Sequence, residues 1–231
     1  RIHIWHDWIF INLHGKARKF EEYAKSIIKK FQDIDLEKIK HVATLDFGQI
    51  NSNWKFLIEN FIEPYHVQFV HKTTTNQPLK DHYTIVDGIC YGSGVNVKKE
   101  DEKNNNALSV TSRYLSLFPN FIIANYFPNQ IGVYLNIPVS PGETIQKRII
   151  YTSDGKNMTE EESNTAKKIW WSVHKEDHDI CERLQEGRLS PASNQGGLLS
   201  PYWEKGVQTF QKLIIDATMK NSRSKKGRKN V

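Results

Sequence analysis

Cysteine is scarce in this chain: Cys90 and Cys181 are the only two thiols in 231 residues. So few exclude a disulfide scaffold and suit a reducing compartment such as the cytosol. No run of about 18 apolar residues occurs, which excludes a membrane-spanning helix. No internal repeat is present, and the composition is not that of collagen, a coiled coil or a wholly disordered chain. A cationic surface for nucleic acid is missing too, despite a formal charge of +6. Six of the 32 basic residues follow the last acid, Asp216, so 26 remain to balance the 26 acids of the body. Those six lie in 220–231, a stretch without apolar residues until Val231, which is expected to be a solvated, disordered tail. Arg1 stands first, no signal peptide is expected, and the chain is expected to start inside a longer protein.

What is present is the alternation and periodicity of a mixed fold. Trp5–Leu13 reads as a strand, and residues 17–31 carry apolar side chains at three- and four-residue steps, as in an amphipathic helix. Val42–Phe47 is a short strand. Asn51–Asn53 then offers caps for a helix striped by Trp54, Leu57, Ile58, Phe61 and Ile62. From Tyr83 to Tyr151 the texture is β, with segments 83–86, 89–97, 108–118, 121–127, 131–138 and 146–151 separated by turn formers and, at 101–106, a polar loop. Thr159 with Glu160–Glu162 opens a long helix to about Gln185, and 201–218 forms a last one. Helices, then antiparallel strands, then helices make an α+β domain.

Two places break their local pattern. The segment EPYHVQFVH spans Glu63–His71. Helical spacing puts Glu63 and His66 on one face, but a spacing of five returns His71 to that face only if the helix bends or ends. Pro64 makes such a departure plausible. The second anomaly is Asp177, which takes an apolar slot in the stripe Ala166, Ile169, Trp170, Val173, Ile180, Cys181 and Leu184. A carboxylate there is costly unless it is paired or bound to a metal. Two histidines with one carboxylate form the ligand set of mononuclear non-heme Fe(II) oxygenases. The plain alternatives are two packing or surface histidines and a salt bridge from Asp177 to Arg183 or to another element.

The segment Asn53-Trp54-Lys55, Glu59-Asn60-Phe61, Glu63, Tyr65-His66 and His71 resembles the iron-binding signature of Rieske-type ring-hydroxylating oxygenase large subunits. Glu176-Asp177, Glu182, Gln185 and Gly187 resemble the family's third-ligand helix, and Leu117-Phe118-Pro119-Asn120 a strand-turn of its catalytic domain. The resemblance implies a helix-grip antiparallel sheet packed against long helices. Residues 1–13 would be the end of a truncated Rieske domain, 14–219 the mononuclear iron catalytic domain and 220–231 the basic tail. His66, His71 and Asp177 would be the Fe(II) ligands, with Asn60 near the metal. Asp179 and His178 are near-misses for the third ligand. Glu63 would be the acid through which electrons enter from the cluster of a neighbouring subunit, and its being Glu is similar to a branch with quaternary-amine monooxygenases. O2 and a small aromatic or quaternary-amine-like substrate would react by hydroxylation or oxidative demethylation. Electrons would come from NAD(P)H through a reductase or ferredoxin, in a cytoplasmic homotrimer.

A Rieske [2Fe–2S] cluster needs paired Cys and His motifs, and neither Cys90 nor Cys181 sits in one. The cluster is therefore expected in a missing N-terminal domain, and both cysteines as packed thiols. Phe118, Phe121, Ile123, Asn125, Tyr134 and Asn136 are candidate pocket residues; Tyr65 would pack beside the site, and Trp170 and Trp171 would fill core and grooves. One rival is a helix-grip ligand-binding domain without redox chemistry. Another is a zinc hydrolase using His174 and His178, although Lys175 stands where the catalytic glutamate of such helices belongs.

Overall fold

The computed structural model of the chain describes residues 1–75, 77–96 and 111–226. The start is a hairpin, β1 (Ile2–Trp5) and β2 (Trp8–Ile11), where the sequence suggested one strand; His6, at φ 53°, turns the chain between them. The expected helix over 17–31 is broken into α1 (Phe20–Tyr23) and α2 (Lys25–Lys30). Then come β3 (Lys40–Ile50), α3 (Trp54–Ile62) and the single turn α4 (Val67–Val70). Six strands follow: β4 (His82–Asp87), β5 (Cys90–Asn96), β6 (Thr111–Leu117), β7 (Phe121–Tyr126), β8 (Gln130–Ser140) and β9 (Glu143–Thr152). The polar loop expected at 101–106 lies outside the described residues. Helix α5 (Glu160–Arg188) starts with a full capping box between Thr159 and Glu162. Helix α6 (Lys205–Lys226) runs past the predicted end at Thr218, so the first residues of the basic segment continue a helix rather than a coil.

Seven strands form one antiparallel sheet in the order β3-β9-β8-β7-β6-β5-β4, and long helices grip one face, as the α+β helix-grip reading requires. The register sorts side chains cleanly. On one face Ile85, Cys90, Leu115, Leu117, Ile123, Ile131, Val133 and Tyr151 pack with Trp5, Trp8, Ile27 and Phe31 of the hairpin and α1–α2 segment. The other face presents Ala124, Tyr126 and Ile150 to α5, and Tyr91, Ile122 and Tyr134 to α3 and α6. Because both faces are covered, β7 is apolar on both sides, and alternation alone cannot say which residues face the helices. Cys90 and Cys181 are both fully buried free thiols, and burial pushes Cys90 up to about 12. Among the described residues no helix is long and apolar enough to cross a membrane.

The α6 helix comes close to the sheet through two glycines: a Cβ on Gly206 would lie 3.6 Å from the Gly92 nitrogen and from the Ile62 carbonyl at the end of α3. A Cβ on Gly92 itself would fall 1.9 Å from the Tyr114 carbonyl oxygen, which is backbone and cannot yield. Gly92→Ala is therefore expected to cost about 3 kcal/mol or more, read as a drop in the denaturation midpoint. A midpoint equal to that of the parent would show that β5 and β6 can separate at no cost.

Candidate metal centre

Local sequence decides how the two histidines meet. Asn53 caps α3 by accepting from the Lys55 amide at 3.0 Å. The helix stops at Ile62 because Glu63 precedes a proline, which disfavours the helical conformation one residue earlier; Glu63 is extended, at φ −113° and ψ 143°. One turn of helix, α4, then separates His66 at its start from His71 at its end. A spacing of five thus converges across a broken helix, with the ring centroids 5.3 Å apart.

Asp177 reaches the pair from the middle of α5. Its Oδ1 lies 3.1 Å from His71 Nε2 and 3.6 Å from His66 Nε2. Asn60, from α3, donates to the same oxygen at 2.8 Å. One potential ligand atom from each of His66, His71 and Asp177 lies within 4.8 Å of the others. Asp177 therefore meets the histidines and Asn60 rather than Arg183, while Asp179 is exposed and holds Lys175 at 3.4 Å.

Behind each imidazole stands a carboxylate. Glu63 Oε1 is 2.5 Å from His66 Nδ1, and the Glu63 carboxylate also accepts from the amides of Tyr65 and His66. Glu176 Oε2 is 2.8 Å from His71 Nδ1, and the hydroxyls of Thr73 and Thr74 donate to this carboxylate at 3.3 and 2.6 Å. A carboxylate on Nδ1 fixes the tautomer and turns the Nε2 lone pair toward a shared point, as metal ligation needs. The electrostatics agree. Burial alone would lower His71, but Asp177 and Glu176 outweigh it and carry the ring up to about 9. Burial would raise Asp177, yet His71 and His66 hold it well below the usual carboxylate range. A site with that affinity for a proton also attracts a divalent cation in its place. Two neutral imidazoles and one carboxylate, with room beside them, fit a mononuclear Fe(II) better than a closed structural zinc site.

The room is a cavity of about 90 Å³ walled by Phe61, Tyr114, Tyr126, Tyr134 and Trp170. Of the expected pocket residues only Tyr134 lines it. Ile123, on β7, belongs to the opposite core, Phe121 packs against it, and Asn125 binds Arg113 at 3.0 Å; Ile122 and Tyr126 take their places, one residue out of step. Phe118 packs near Phe210, and Asn136 sits one contact away, accepting from Gln146 at 2.7 Å. Trp170 is buried in the core, Trp171 lies half-exposed against Phe47 at 5.1 Å, and Tyr65 packs against Phe69 on the outside. The pair His174 and His178 is not assembled for zinc. Both rings bind the Gln146 amide oxygen, at 3.1 and 2.8 Å, and Arg148 Nη1 lies 3.3 Å from the other nitrogen of His174.

The profile of the family described as "Ring hydroxylating alpha subunit (catalytic domain)" matches residues 32–219. The chain belongs to this family. Among its relatives is the chloroplastic choline monooxygenase of Atriplex hortensis, 24% identical over 216 residues, which cover 91% of this chain and 48% of that protein. The Amaranthus tricolor enzyme of the same name is 25% identical over 225 residues, 91% and 49% of the two chains. The chain thus spans about half the length of the choline monooxygenases it matches. The quaternary ammonium Rieske monooxygenase CntA, solved with L-carnitine, superposes with a TM-score of 0.74 at 18% identity over 93% of this chain and 59% of that one. Naphthalene 1,2-dioxygenase from Rhodococcus sp., bound to indole, gives 0.63 at 14% identity over 85% and 56%. At these identities the two structures show a shared fold.

Two residues of the site carry no signal in the sequence reading of single positions. Glu176 stood only as a neighbour of Asp177, and His82 fell just outside the strand read from Tyr83, with nothing to mark it. Glu176→Gln keeps the size but weakens the acceptor on His71, so Fe(II) or Co(II) affinity is expected to fall about 10- to 100-fold. Anaerobic titration measures this, and unchanged affinity would remove Glu176 from the support of the centre. His82 is 5% exposed, and burial, helped by the charge of His66, pushes it down to about 4. Above pH 6.5 it contributes no pH dependence. Between pH 6.5 and 4 the unfolded chain takes up a proton that the folded one refuses, so stability falls by roughly 3 kcal/mol. Denaturation midpoints followed across that range should lose this slope in His82→Asn.

Proposed function

We propose that this chain is the oxygen-activating half of a Rieske-type oxygenase: His66, His71 and Asp177 hold Fe(II), and a small organic substrate is hydroxylated or oxidatively demethylated beside them. The observation that carries the reading is the convergence of the three ligands on one point, each imidazole backed by its own carboxylate, at the wall of an aromatic cavity. Bound iron would supply the activation of O2. The chain's own groups do the rest. Glu63 and Glu176 keep both Nδ1 positions engaged, and Asn60 holds the Asp177 oxygen in place. Phe61, Tyr114, Tyr126, Tyr134 and Trp170 exclude water, and their ring faces suit a trimethylammonium group through cation–π attraction. The choline monooxygenase relatives and the CntA fold favour such a quaternary-amine-like substrate over an aromatic one.

Glu63 is the proposed entry for electrons. Its side chain is only 11% exposed behind His66, and the apolar pair Tyr65 and Phe69 lies exposed next to it in the chain, where a neighbouring subunit of a homotrimer would bring a [2Fe–2S] cluster. That cluster belongs to an N-terminal domain of the whole protein, and an NAD(P)H-dependent reductase or ferredoxin would feed it. Buried free thiols support a reducing compartment. A ligand-binding domain without redox chemistry leaves the paired carboxylates behind the histidines without a cause.

Anaerobic Fe(II) loading followed by EPR of the nitric oxide adduct tests the centre. The expected result is a stoichiometric high-spin iron–nitrosyl signal that disappears in His66→Ala and Asp177→Ala. A folded protein that takes up no iron, or variants that keep the full signal, would overturn the proposal.

A further inference from the structure

The cavity contains a polar side chain for which the protein provides no partner. His82 opens β4, is 5% exposed and lines the cavity, yet neither Nδ1 nor Nε2 has a hydrogen bond. Leaving buried polar atoms unpaired costs about 1–3 kcal/mol, a cost that structures keep where a ligand or ordered water completes the bond. His82 is not one of the three converging metal-binding residues. A second orphan, the Thr75 hydroxyl, belongs to a residue of the same cavity wall. Near neutral pH the ring is uncharged, as its depressed pKa of about 4 requires, and so offers one N–H and one lone pair. Both Glu63 and Asp177 bring carboxylates to the cavity, and no lysine or arginine is among its described lining residues. A neutral oxygen suits His82 in that field, whereas a carboxylate does not.

We propose that His82, assisted by Thr75, is the polar anchor for substrate, binding a hydroxyl or carbonyl oxygen while the trimethylammonium or apolar part rests on the aromatic wall. This rests on reading the cavity as the substrate chamber of the proposed oxygenase. It makes His82 a specificity-determining residue with no role in holding the metal.

Matched ligands isolate the bond. Calorimetric titration of the Fe(II)-loaded chain, kept anaerobic, compares choline with ethyltrimethylammonium, which lacks only the hydroxyl. The parent protein should prefer choline by about tenfold, the worth of one net hydrogen bond. In His82→Ala the ratio should collapse toward one, His82→Asn should keep part of it, and Thr75→Val should leave about threefold. Iron uptake and circular dichroism unchanged from the parent show that each variant is folded. A ratio retained in His82→Ala overturns the anchor. If neither ammonium ligand binds, the quaternary-amine reading falls, and benzyl alcohol against toluene decides the anchor by the same comparison. A preference for the alcohol that depends on His82 upholds it, and its absence in both pairs overturns it.

Discussion

One carboxylate oxygen, Oδ1 of Asp177, receives Asn60 at 2.8 Å and faces His71 at 3.1 Å and His66 at 3.6 Å. A charged group on an otherwise apolar helix face is tolerable only with such company, so α3, α4 and α5 have to be placed together to within fractions of an ångström. The docking that achieves this is built away from the centre. Glu182 and Gln185 of α5 accept from the backbone amides of Asn51 and Asn53, at 3.0 and 2.9 Å, and the Ser52 hydroxyl donates to the Cys181 carbonyl at 3.1 Å. Leu57, Ile50 and Cys181 close the contact with apolar area. The start of α3 is thereby pinned to the end of α5, and about one turn beyond the Leu57–Cys181 contact along each helix Asn60 meets Asp177.

Charge is distributed in shells around that point. Glu63 and Glu176 contribute negative charge one imidazole away, on the Nδ1 side of each ring, without crowding the centre. A divalent cation held by Asp177 would leave the remaining charge to be shared between those two carboxylates and Arg148. That arginine is fully buried on the helix-facing side of the sheet and has no carboxylate partner among the described residues. Its guanidinium lies 3.3 Å from the ring centre of Trp170 and 4.8 Å from those of Tyr126 and Tyr134, three rings that also line the cavity. Gly132 makes room for it, since a Cβ there would lie 2.8 Å from Nη2. The aromatic wall thus has a cation stacked on it, and burial together with that charge pushes His174 well below its usual value.

Much of this was legible in the residues alone. Turn formers and alternation located the strands, the Thr159–Glu162 box located α5, and the broken rhythm at Asp177 marked the one carboxylate that needed partners. Glu63, His66, His71 and Asp177 were visible as chemistry because the five-residue step to His71 and a carboxylate in an apolar slot break their local patterns, whereas Asn60 was marked only by the family resemblance. The face assignments on β7 were not legible, because a sheet covered on both sides makes both alternating sets apolar. The break between α1 and α2 was hidden for a similar reason: apolar residues at helical steps continue through it.

The sequence by itself determined the order of the main sheet strands and long helices, the break after α3 and the helix caps, and the identity of the groups able to hold a metal. These are local matters: which backbone conformations proline, asparagine and glycine allow, and which side chains can donate or accept. Tertiary structure alone decided that Glu176 stands behind His71, that Arg148 backs the aromatic wall and that His82 faces a cavity with no partner. Each depends on contacts between residues far apart in the chain, set by sheet register and helix docking, and no single-residue pattern encodes such a contact.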